Sequence, residues 1–309
     1  MESTADMPAN VAQGAIKHVS VCICTLRRPK QLETLLRYLA QQETNGDFTF
    51  SIIITDNDTH RSAESVVAEF NRIRIIPVKY SLEPRQNIAL ARNEALRHAT
   101  GEFVALIDDD ELPDRSWLAT MLEVCEKYGA AGVLGPVRPC FQETPPRWVL
   151  KGHFWERPEH PTGWIMVGDK CRTGNVLFRR EILNELDQVF NPLFGTGGED
   201  KDFFLRMIGK GHVFRWCNEA PVYETVPRER CTRAYLLKRA MLRGQNNIRQ
   251  PLGRAQLVAK SMLATPILIA VLPFTLMFGQ HVFVGYCIRL CDHAGRLLAL
   301  FGCNPITER

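Results

Sequence analysis

Three consecutive aspartates form the first group of residues that could take part in catalysis. Asp108, Asp109 and Asp110, with Glu111 behind them, directly follow the apolar run from Phe103 to Ile107. Adjacent carboxylates repel one another unless a positive group lies among them. Mg²⁺ and Mn²⁺ prefer oxygen ligands and are often held by one or two carboxylates together with substrate phosphates. The cluster therefore predicts a divalent-cation site that binds a diphosphate, although a single acidic loop is also typical of a solvated turn.

A second acidic pair lies about 90 residues further along the chain. Glu199 and Asp200 follow the glycine-rich run Gly195-Thr196-Gly197-Gly198 and precede a helix pattern. Acids in a first helical turn are favoured by the helix dipole alone, by about 0.3–1 kcal/mol. The glycines permit close approach of the backbone to a bound substrate. We therefore interpret the pair as a candidate general base.

The periodicity of the sequence indicates how both clusters are positioned. Short apolar runs predict strands over 19–25, 50–55, 73–78 and 103–107, and helical spacing predicts helices from Lys30 and over 63–70, 86–98 and 114–128. This alternation predicts an α/β fold with a mostly parallel central sheet and helices on both faces, as in Rossmann-like proteins. Ligands of such sheets bind at the carboxyl ends of the strands. Polar clusters occur at three of those ends, at 25–27, 56–58 and 108–110.

Charge is distributed unevenly along the chain of 309 residues, whose formal net charge is +4. The segment from Arg228 to Lys260 contains nine basic residues and one acid, Glu229. Such a segment suits phosphate groups or an anionic membrane surface, and it is also compatible with a solvated helix face.

The ten cysteines show no zinc-like spacing, and we predict no nucleic-acid partner.

An uncharged stretch of 20 residues, from Ser261 to Gln280, lies near the C-terminus. It is long enough to cross a bilayer core of about 30 Å. A single span, a kinked re-entrant or hairpin anchor, and a buried helix of a soluble domain are all compatible with its length. Basic residues on both sides favour the hairpin.

Several motifs in order resemble those of family 2 glycosyltransferases, which have the type A nucleotide-sugar-binding fold. They are VCICTLRRP in the first strand, Asp56 after the second, ARNEAL at 91–96, the triple aspartate and the Gly-Gly-Glu-Asp segment. The resemblance extends from Val19 to Gly244. The segment 222–245 is similar to bacterial exopolysaccharide glycosyltransferases of the succinoglycan type.

The resemblance implies roles for individual residues. Those implied to contact the donor nucleotide, its ribose or its phosphates are Thr25, Arg27, Asp56, Arg85, Arg92, Asp108 and Asp109. Asp110, with Asp108, would bind Mg²⁺ or Mn²⁺, and Asp200, with Glu199 beside it, would be the catalytic base. Many members carry a histidine near the position of Glu224, and this departure leaves the role of Glu224 open.

The resemblance also implies a function. It is inverting transfer of a sugar from a nucleotide-sugar donor, a UDP-sugar, to a lipid-linked saccharide at the cytoplasmic face of the bacterial inner membrane. The predicted organisation is a disordered N-terminus (1–17), a catalytic domain (18–245, with a nucleotide-sugar half to 135 and an acceptor half from 136) and a membrane-anchoring tail (246–309). The alternatives are a sugar-phosphate nucleotidyltransferase and a non-catalytic carbohydrate-binding protein of the same fold. The sequence TLRRPK after the first strand lacks the glycine-rich phosphate loop that a nucleotidyltransferase usually has.

Overall fold

The computed structural model describes residues 16–73, 76–168, 170–248, 254–303 and 305–306. Its centre is a seven-stranded sheet with the order β3-β2-β1-β4-β8-β6-β9. The strands are β1 (Lys17–Thr25), β2 (Phe48–Asp56), β3 (Val78–Leu82), β4 (Phe103–Ile107), β5 (Glu111–Pro113), β6 (Gly132–Leu134), β7 (Val137–Phe141), β8 (Asn175–Arg179), β9 (Phe214–Trp216) and β10 (Val222–Val226). Strands β1 to β4 pair in parallel, and β8 is antiparallel to both β4 and β6. The predicted α/β fold with a mostly parallel sheet is confirmed.

A second, three-stranded sheet with the order β5-β10-β7 stands beside the first. Its strand β5 starts at Glu111, immediately after the triple aspartate, and pairs antiparallel with β10. The aspartates therefore lie where the chain leaves the main sheet and enters the small one. This corner is anchored on both sides by backbone hydrogen bonds.

The helices are α1 (Pro29–Leu39), α2 (Glu64–Ile73), α3 (Ile88–Arg97), α4 (Trp117–Lys127), α5 (Arg147–Lys151), α6 (Glu199–Gly209), α7 (Arg233–Asn247), α8 (Arg254–Thr275) and α9 (Gln280–Leu300). Helices α1, α2, α3, α4 and α6 cover the two faces of the main sheet, because each presents one apolar stripe to it. One core lies under α1, α2 and α4, and the other lies under α3 and α6. The near-continuous apolar strands β1 and β4 are buried between them, as in other parallel sheets.

Two predictions about the elements are wrong. The strand predicted over 73–78 is displaced, because Ile73 is the last residue of α2 and β3 begins only at Val78. A short apolar run does not distinguish the end of a helix from the start of a strand. The region 136–168 is rich in proline, tryptophan and histidine and has no clear period, which predicts irregular loops. It nevertheless contains β7 and α5, and Ile165 forms an antiparallel bridge with Arg215 of β9.

The C-terminal helices form a layer outside the sheets. Helix α9 lies between α7 and α8, so that α8 is outermost. Two glycines bring α7 and α9 together, because a Cβ on Gly244 would collide with the carbonyl of Asp292, and one on Gly295 with the carbonyl of Met241. Arg243 also donates to both carboxylate oxygens of Asp292, at 2.8 and 2.5 Å.

The predicted domain limits can be placed on these elements. Residues 1–15 of the predicted disordered segment lie outside the described residues, and Lys17 already belongs to β1. The predicted boundary at 245 falls inside α7, which ends at Asn247. Only one helix in the described residues, Arg254–Phe278 including the turn after α8, is long and apolar enough to cross a membrane. Most of it is exposed, so it is not the buried core helix of a soluble domain.

Candidate active site

The carboxyl ends of β1, β2 and β4 meet at one edge of the main sheet. Thr25, the last residue of β1, is the register partner of Asp56, the last residue of β2. On its other side β1 pairs with β4, which ends one residue before Asp108. The three polar clusters of the sequence therefore share one edge.

Arginines are the positive groups among the aspartates. Nη1 of Arg28 donates to Oδ1 of Asp109 at 2.8 Å and to Oδ2 of Asp110 at 3.0 Å. Nη1 of Arg230 donates to the same Oδ2 of Asp110 at 3.3 Å. Arg27 adopts a left-handed backbone conformation, φ 55°, at the turn that follows β1 and brings Arg28 to this corner. Two guanidinium groups from opposite ends of the domain thus share one carboxylate oxygen.

Asp109 lies deepest in the corner and is the least exposed of the three aspartates. Its Oδ2 accepts a hydrogen bond from Oγ1 of Thr25 at 2.8 Å. Burial raises the pKa of Asp109 to about 6, and the neighbouring Arg28 acts in the opposite direction. This arrangement makes Asp109 a support that positions the corner, whereas Asp108 is about half exposed.

Arg92 connects the two acidic clusters. This buried side chain of α3 pairs through Nη1 with Glu199, and its Nη2 donates to Oδ1 of Asp108 at 3.2 Å. A buried charge without a partner is costly. The guanidinium group of Arg92 and the two carboxylates therefore stabilise one another. Because Glu199 opens α6 and Asp108 follows β4, the arginine fixes the distance between the start of α6 and the aspartate corner.

The glycine-rich loop before α6 is shaped by its neighbours. A Cβ on Gly195 would collide with the side chain of Asn87, and Gly197 and Gly198 have left-handed φ values of 126° and 102°. Thr196 exchanges two hydrogen bonds with Asn246 of α7, at 3.2 and 3.0 Å. The loop is thus fixed from both sides and delivers Glu199 and then Asp200.

Asp200 occupies a more accessible position than Glu199. Its side chain is 16% exposed, against 5% for Glu199. Its Oδ1 accepts from the backbone N–H of Lys201 at 2.7 Å, and Arg172 approaches its Oδ2 at 3.8 Å. Of the predicted acidic pair, Asp200 is therefore the more accessible residue, and Glu199 is the residue that holds Arg92.

The other predicted donor contacts are dispersed around the same edge. Asp56 is fully buried, and its carboxylate accepts from the backbone N–H groups of Asp58 and Ala63 at 3.0 and 2.8 Å and from the Tyr80 hydroxyl at 3.3 Å. Its role in base recognition stays a prediction, since those oxygens also organise the end of β2.

Two predicted arginines lie at the surface of this edge. Arg27 pairs with Asp58 at 3.2 Å, and Arg85 forms two 2.9 Å hydrogen bonds with Glu83. Both guanidinium groups are more than half exposed. The structure therefore separates them from Arg92, which is buried at the centre.

Glu224 belongs to the aspartate corner. Its Oε2 accepts from Nη2 of Arg157 at 2.7 Å, and its Oε1 lies 3.5 Å from Nη1 of Arg230. Glu111 is buried beside this group, and burial raises its pKa well above the ordinary value. Where a histidine was expected from the resemblance, the chain has a carboxylate between two arginines.

Sequence reasoning missed Arg28, Arg230 and Arg157. Each lies far in sequence from at least one carboxylate that it contacts, so that no local spacing identifies it. The indication available was electrostatic, since consecutive buried acids require positive partners. Arg28 and Arg230 both occur in stretches rich in arginine, TLRRP and PRER.

Comparison with known proteins identifies the family. The family model described as glycosyl transferase family 2 matches residues 20–187, which is more than half of the chain. The chain belongs to glycosyl transferase family 2. This membership confirms the predicted resemblance and the assignment of the chain as a glycosyltransferase.

A curated relative and two solved structures are similar to this glycosyltransferase. The succinoglycan biosynthesis protein ExoM of Rhizobium meliloti is 34% identical over 94% of this chain and 95% of its own length. The mannosyltransferase PcManGT from Pyrobaculum calidifontis, in complex with GDP-Man and Mn²⁺, has a TM-score of 0.60 at 20% identity and covers 94% of this chain and 89% of its own. TarS 1-349 from S. aureus, in complex with UDP-GlcNAc, has a TM-score of 0.55 at 15% identity, with 93% and 92% covered. At these identities the two structures show the common fold.

Proposed function

We propose that this family 2 glycosyltransferase transfers a sugar from a UDP-sugar to a lipid-linked saccharide, with inversion at the anomeric carbon, in the assembly of an exopolysaccharide. The observation that carries the proposal is the single sheet edge at which the aspartate corner and the start of α6 are joined through Arg92. The similarity to a succinoglycan biosynthesis protein over nearly the whole chain supports the type of product.

The reaction needs one group that stabilises the leaving diphosphate and one that accepts the acceptor's proton. In the mechanism we propose, Arg28 and Arg230 bind the diphosphate from the aspartate corner. Asp200 accepts the proton as the acceptor hydroxyl attacks the anomeric carbon, a contribution of about 10²–10⁴-fold for a positioned base. One direct displacement inverts the anomeric centre. Arg92 keeps the base and the corner at a fixed separation.

Mg²⁺ or Mn²⁺ is the proposed cofactor. No three histidine, cysteine, aspartate or glutamate side chains converge as a metal-binding group in the described residues. Asp110 and Asp108 supply carboxylate oxygens, the ligands that a hard cation prefers, and such an ion would take its remaining ligands from the diphosphate and water. Bound there, the ion would neutralise charge that develops on the leaving group. The Mn²⁺ in the similar mannosyltransferase structure is consistent with this cofactor.

The acceptor is proposed from the C-terminal layer. An exposed apolar helix and the basic stretch before it suit a membrane surface, where a lipid-linked saccharide is presented. We place the enzyme at the cytoplasmic face of the bacterial inner membrane, because nucleotide sugars are cytosolic. The hydrogen bonds between Asn246 of α7 and Thr196 link this layer to the loop that carries Asp200.

The test is a transfer assay with the full-length enzyme, a panel of UDP- and GDP-sugars, and membrane extract as acceptor, with and without a chelator. We expect transfer from one UDP-sugar, loss of activity on chelation, and a product of inverted configuration by NMR. Asp200→Asn should abolish turnover and retain donor binding. The matched control is Asp202→Asn in the same helix turn, whose carboxylate pairs only with Arg206 among the described residues. An unchanged cellular function of Asp200→Asn would instead support the non-catalytic alternative.

A further inference from the structure

The outer face of α8 and of the turn that follows it is a continuous apolar surface. Its most exposed side chains are Met262, Leu263, Ile267, Ile269, Phe274, Leu276, Met277 and Phe278. We propose that this surface lies flat in the cytoplasmic leaflet of an anionic bilayer and that α8 does not cross the membrane. The proposal rests on the membrane association proposed above, and it specifies the element and the geometry responsible.

The covered side of α8 shows how the helix is held. Its least exposed positions lie along one side of the helix from one end to the other, and they are Leu257, Val258, Ser261, Ala264, Thr265, Leu268, Leu272 and Thr275. These positions form one stripe of an α-helix. The stripe faces α9, and the imidazole of His293 in α9 hydrogen-bonds the hydroxyl of Ser261 at 3.0 Å. Helix α8 is therefore packed on α9 along its whole length.

Helix α9 is in turn fixed to the catalytic part of the chain. Its Gly295 packs against the backbone of α7, and its Asp292 pairs with Arg243 of α7. Its Ile288 packs on the apolar cluster that includes Val149 and Trp155. Helix α8 thus lies along a surface that belongs to the folded enzyme.

This packing distinguishes a flat position from a membrane span. At about 1.5 Å per residue, the 22 residues of α8 are long enough to cross a bilayer core. Because α9 is packed along it, with His293 opposite Ser261, a spanning α8 would draw Arg289 of α9 into the hydrocarbon, together with the catalytic surface on which Ile288 packs. Charged side chains in that region are costly. A helix that lies in the interface, immersed by about 5–10 Å, leaves these groups in place.

The charge and the width of the surface select lipid as its occupant. Between Arg254 and Gln280 the charged residues are Arg254 and Lys260, both cationic and both near the start of α8. Anionic headgroups complement them. Viewed down the helix axis, the exposed apolar side chains form one continuous arc, bounded by Ile269 on one side and by Val271 on the other. At about 100° per residue this arc covers about 200° of the helix. A second protein helix needs a stripe of only about 100°, whereas lipid covers an arc of any width.

The experiment measures depth along α8 in the full-length enzyme. A fluorescent non-canonical amino acid is placed in separate variants at Leu263, Ile267, Phe274 and Met277, and its quenching by lipids brominated at different acyl depths is recorded in phosphatidylglycerol vesicles. We expect similar, shallow depths at all four positions. A depth that increases from Leu263 to Met277 would overturn the proposal in favour of a re-entrant or spanning helix. Absence of quenching, with a dimer in solution, would overturn it in favour of a second copy.

A charge substitution provides the second arm. We expect Ile267→Glu with Phe274→Glu to lower binding to phosphatidylglycerol vesicles at least tenfold in flotation assays. Ile73→Glu, at an equally exposed apolar residue on α2, is the control and should bind as the original chain does. Sugar transfer to a soluble acceptor in detergent is measured on the same variants. Vesicle binding that is unchanged in the double variant would overturn the proposal, whether or not sugar transfer is observed. If the double variant binds vesicles more weakly as expected but also loses sugar transfer, the lost transfer bears only on the proposed function.

Discussion

Arg92 is the residue on which the geometry of both acidic clusters depends. It contacts Glu199 on one side and Asp108 on the other, and it is buried between them. In the proposed mechanism the leaving diphosphate and the incoming hydroxyl lie on opposite sides of the sugar. A rigid cation between the two clusters would keep that separation constant.

We predict that Glu199→Gln destabilises the fold by about 3–5 kcal/mol, because it leaves the buried charge of Arg92 without its closest partner. Chemical denaturation measures the free energy of unfolding. The control is Glu33→Gln, which removes an exposed pair with Arg37 on α1 and should cost less than about 1 kcal/mol. A change equally small at Glu199 would show that the pair does not support the site.

Arg230 permits a second prediction at this scale. Arg230→Gln removes the guanidinium group that contacts both Asp110 and Glu224. If this group binds the donor diphosphate, the loss of a charge-assisted hydrogen bond, about 1.5–3 kcal/mol, raises KM for the donor roughly 10–100-fold. Steady-state kinetics with varied donor measures the change. Arg228→Gln, at an exposed position of the same segment, should leave KM unaltered, and an equal effect of both variants would argue against a specific contact.

At the scale of elements, the sequence predicted the strands that carry the site better than the contacts between them. Strand β4 occupies the predicted residues 103–107, and β1 and β2 contain the predicted 19–25 and 50–55, because long buried apolar runs with polar ends have few alternatives. Strand β3 was displaced, since a short, partly exposed run carries little periodic information. The contacts of Arg28 with Asp109 and of Arg230 with Asp110 could not be predicted, because they join positions 81 and 120 residues apart through tertiary packing.

The contact between α7 and α9 gives a prediction for one element pair. Gly244→Ala places a methyl group against the carbonyl of Asp292, so the two helices must separate. We expect a loss of about 1–3 kcal/mol in stability, as for other overpacked interfaces. Thermal unfolding and limited proteolysis of the C-terminal helices measure it. Gly209→Ala in α6, where a Cβ meets open space, is the control and should be neutral or stabilising.

On the scale of the whole molecule, the enzyme is two sheets and a helical layer joined by α7. The N-terminal end of α7 follows the 3₁₀ segment of Arg230, and its C-terminal end holds the glycine-rich loop through Asn246. Its remaining face is covered by α9. One helix therefore follows the segment that brings Arg230 to the aspartate corner, contacts the glycine-rich loop and packs against α9.

The last prediction concerns the boundary at 245 between catalytic domain and tail. A chain that ends at 245 lacks α9 and exposes the face of α7 around Met241 and Gly244, which α9 covers in the full chain. It also lacks Asn246, which exchanges two hydrogen bonds with Thr196 of the glycine-rich loop. We therefore expect the shortened chain to aggregate or to unfold at lower denaturant concentration, and to lose transfer to a soluble acceptor. A chain that ends at 302 retains α9 and should behave as the full chain. If the chain that ends at 245 were as stable and as active as the full chain, the sheets and α7 would hold the site without α9. Helix α9 would then belong to the tail and not to the catalytic domain.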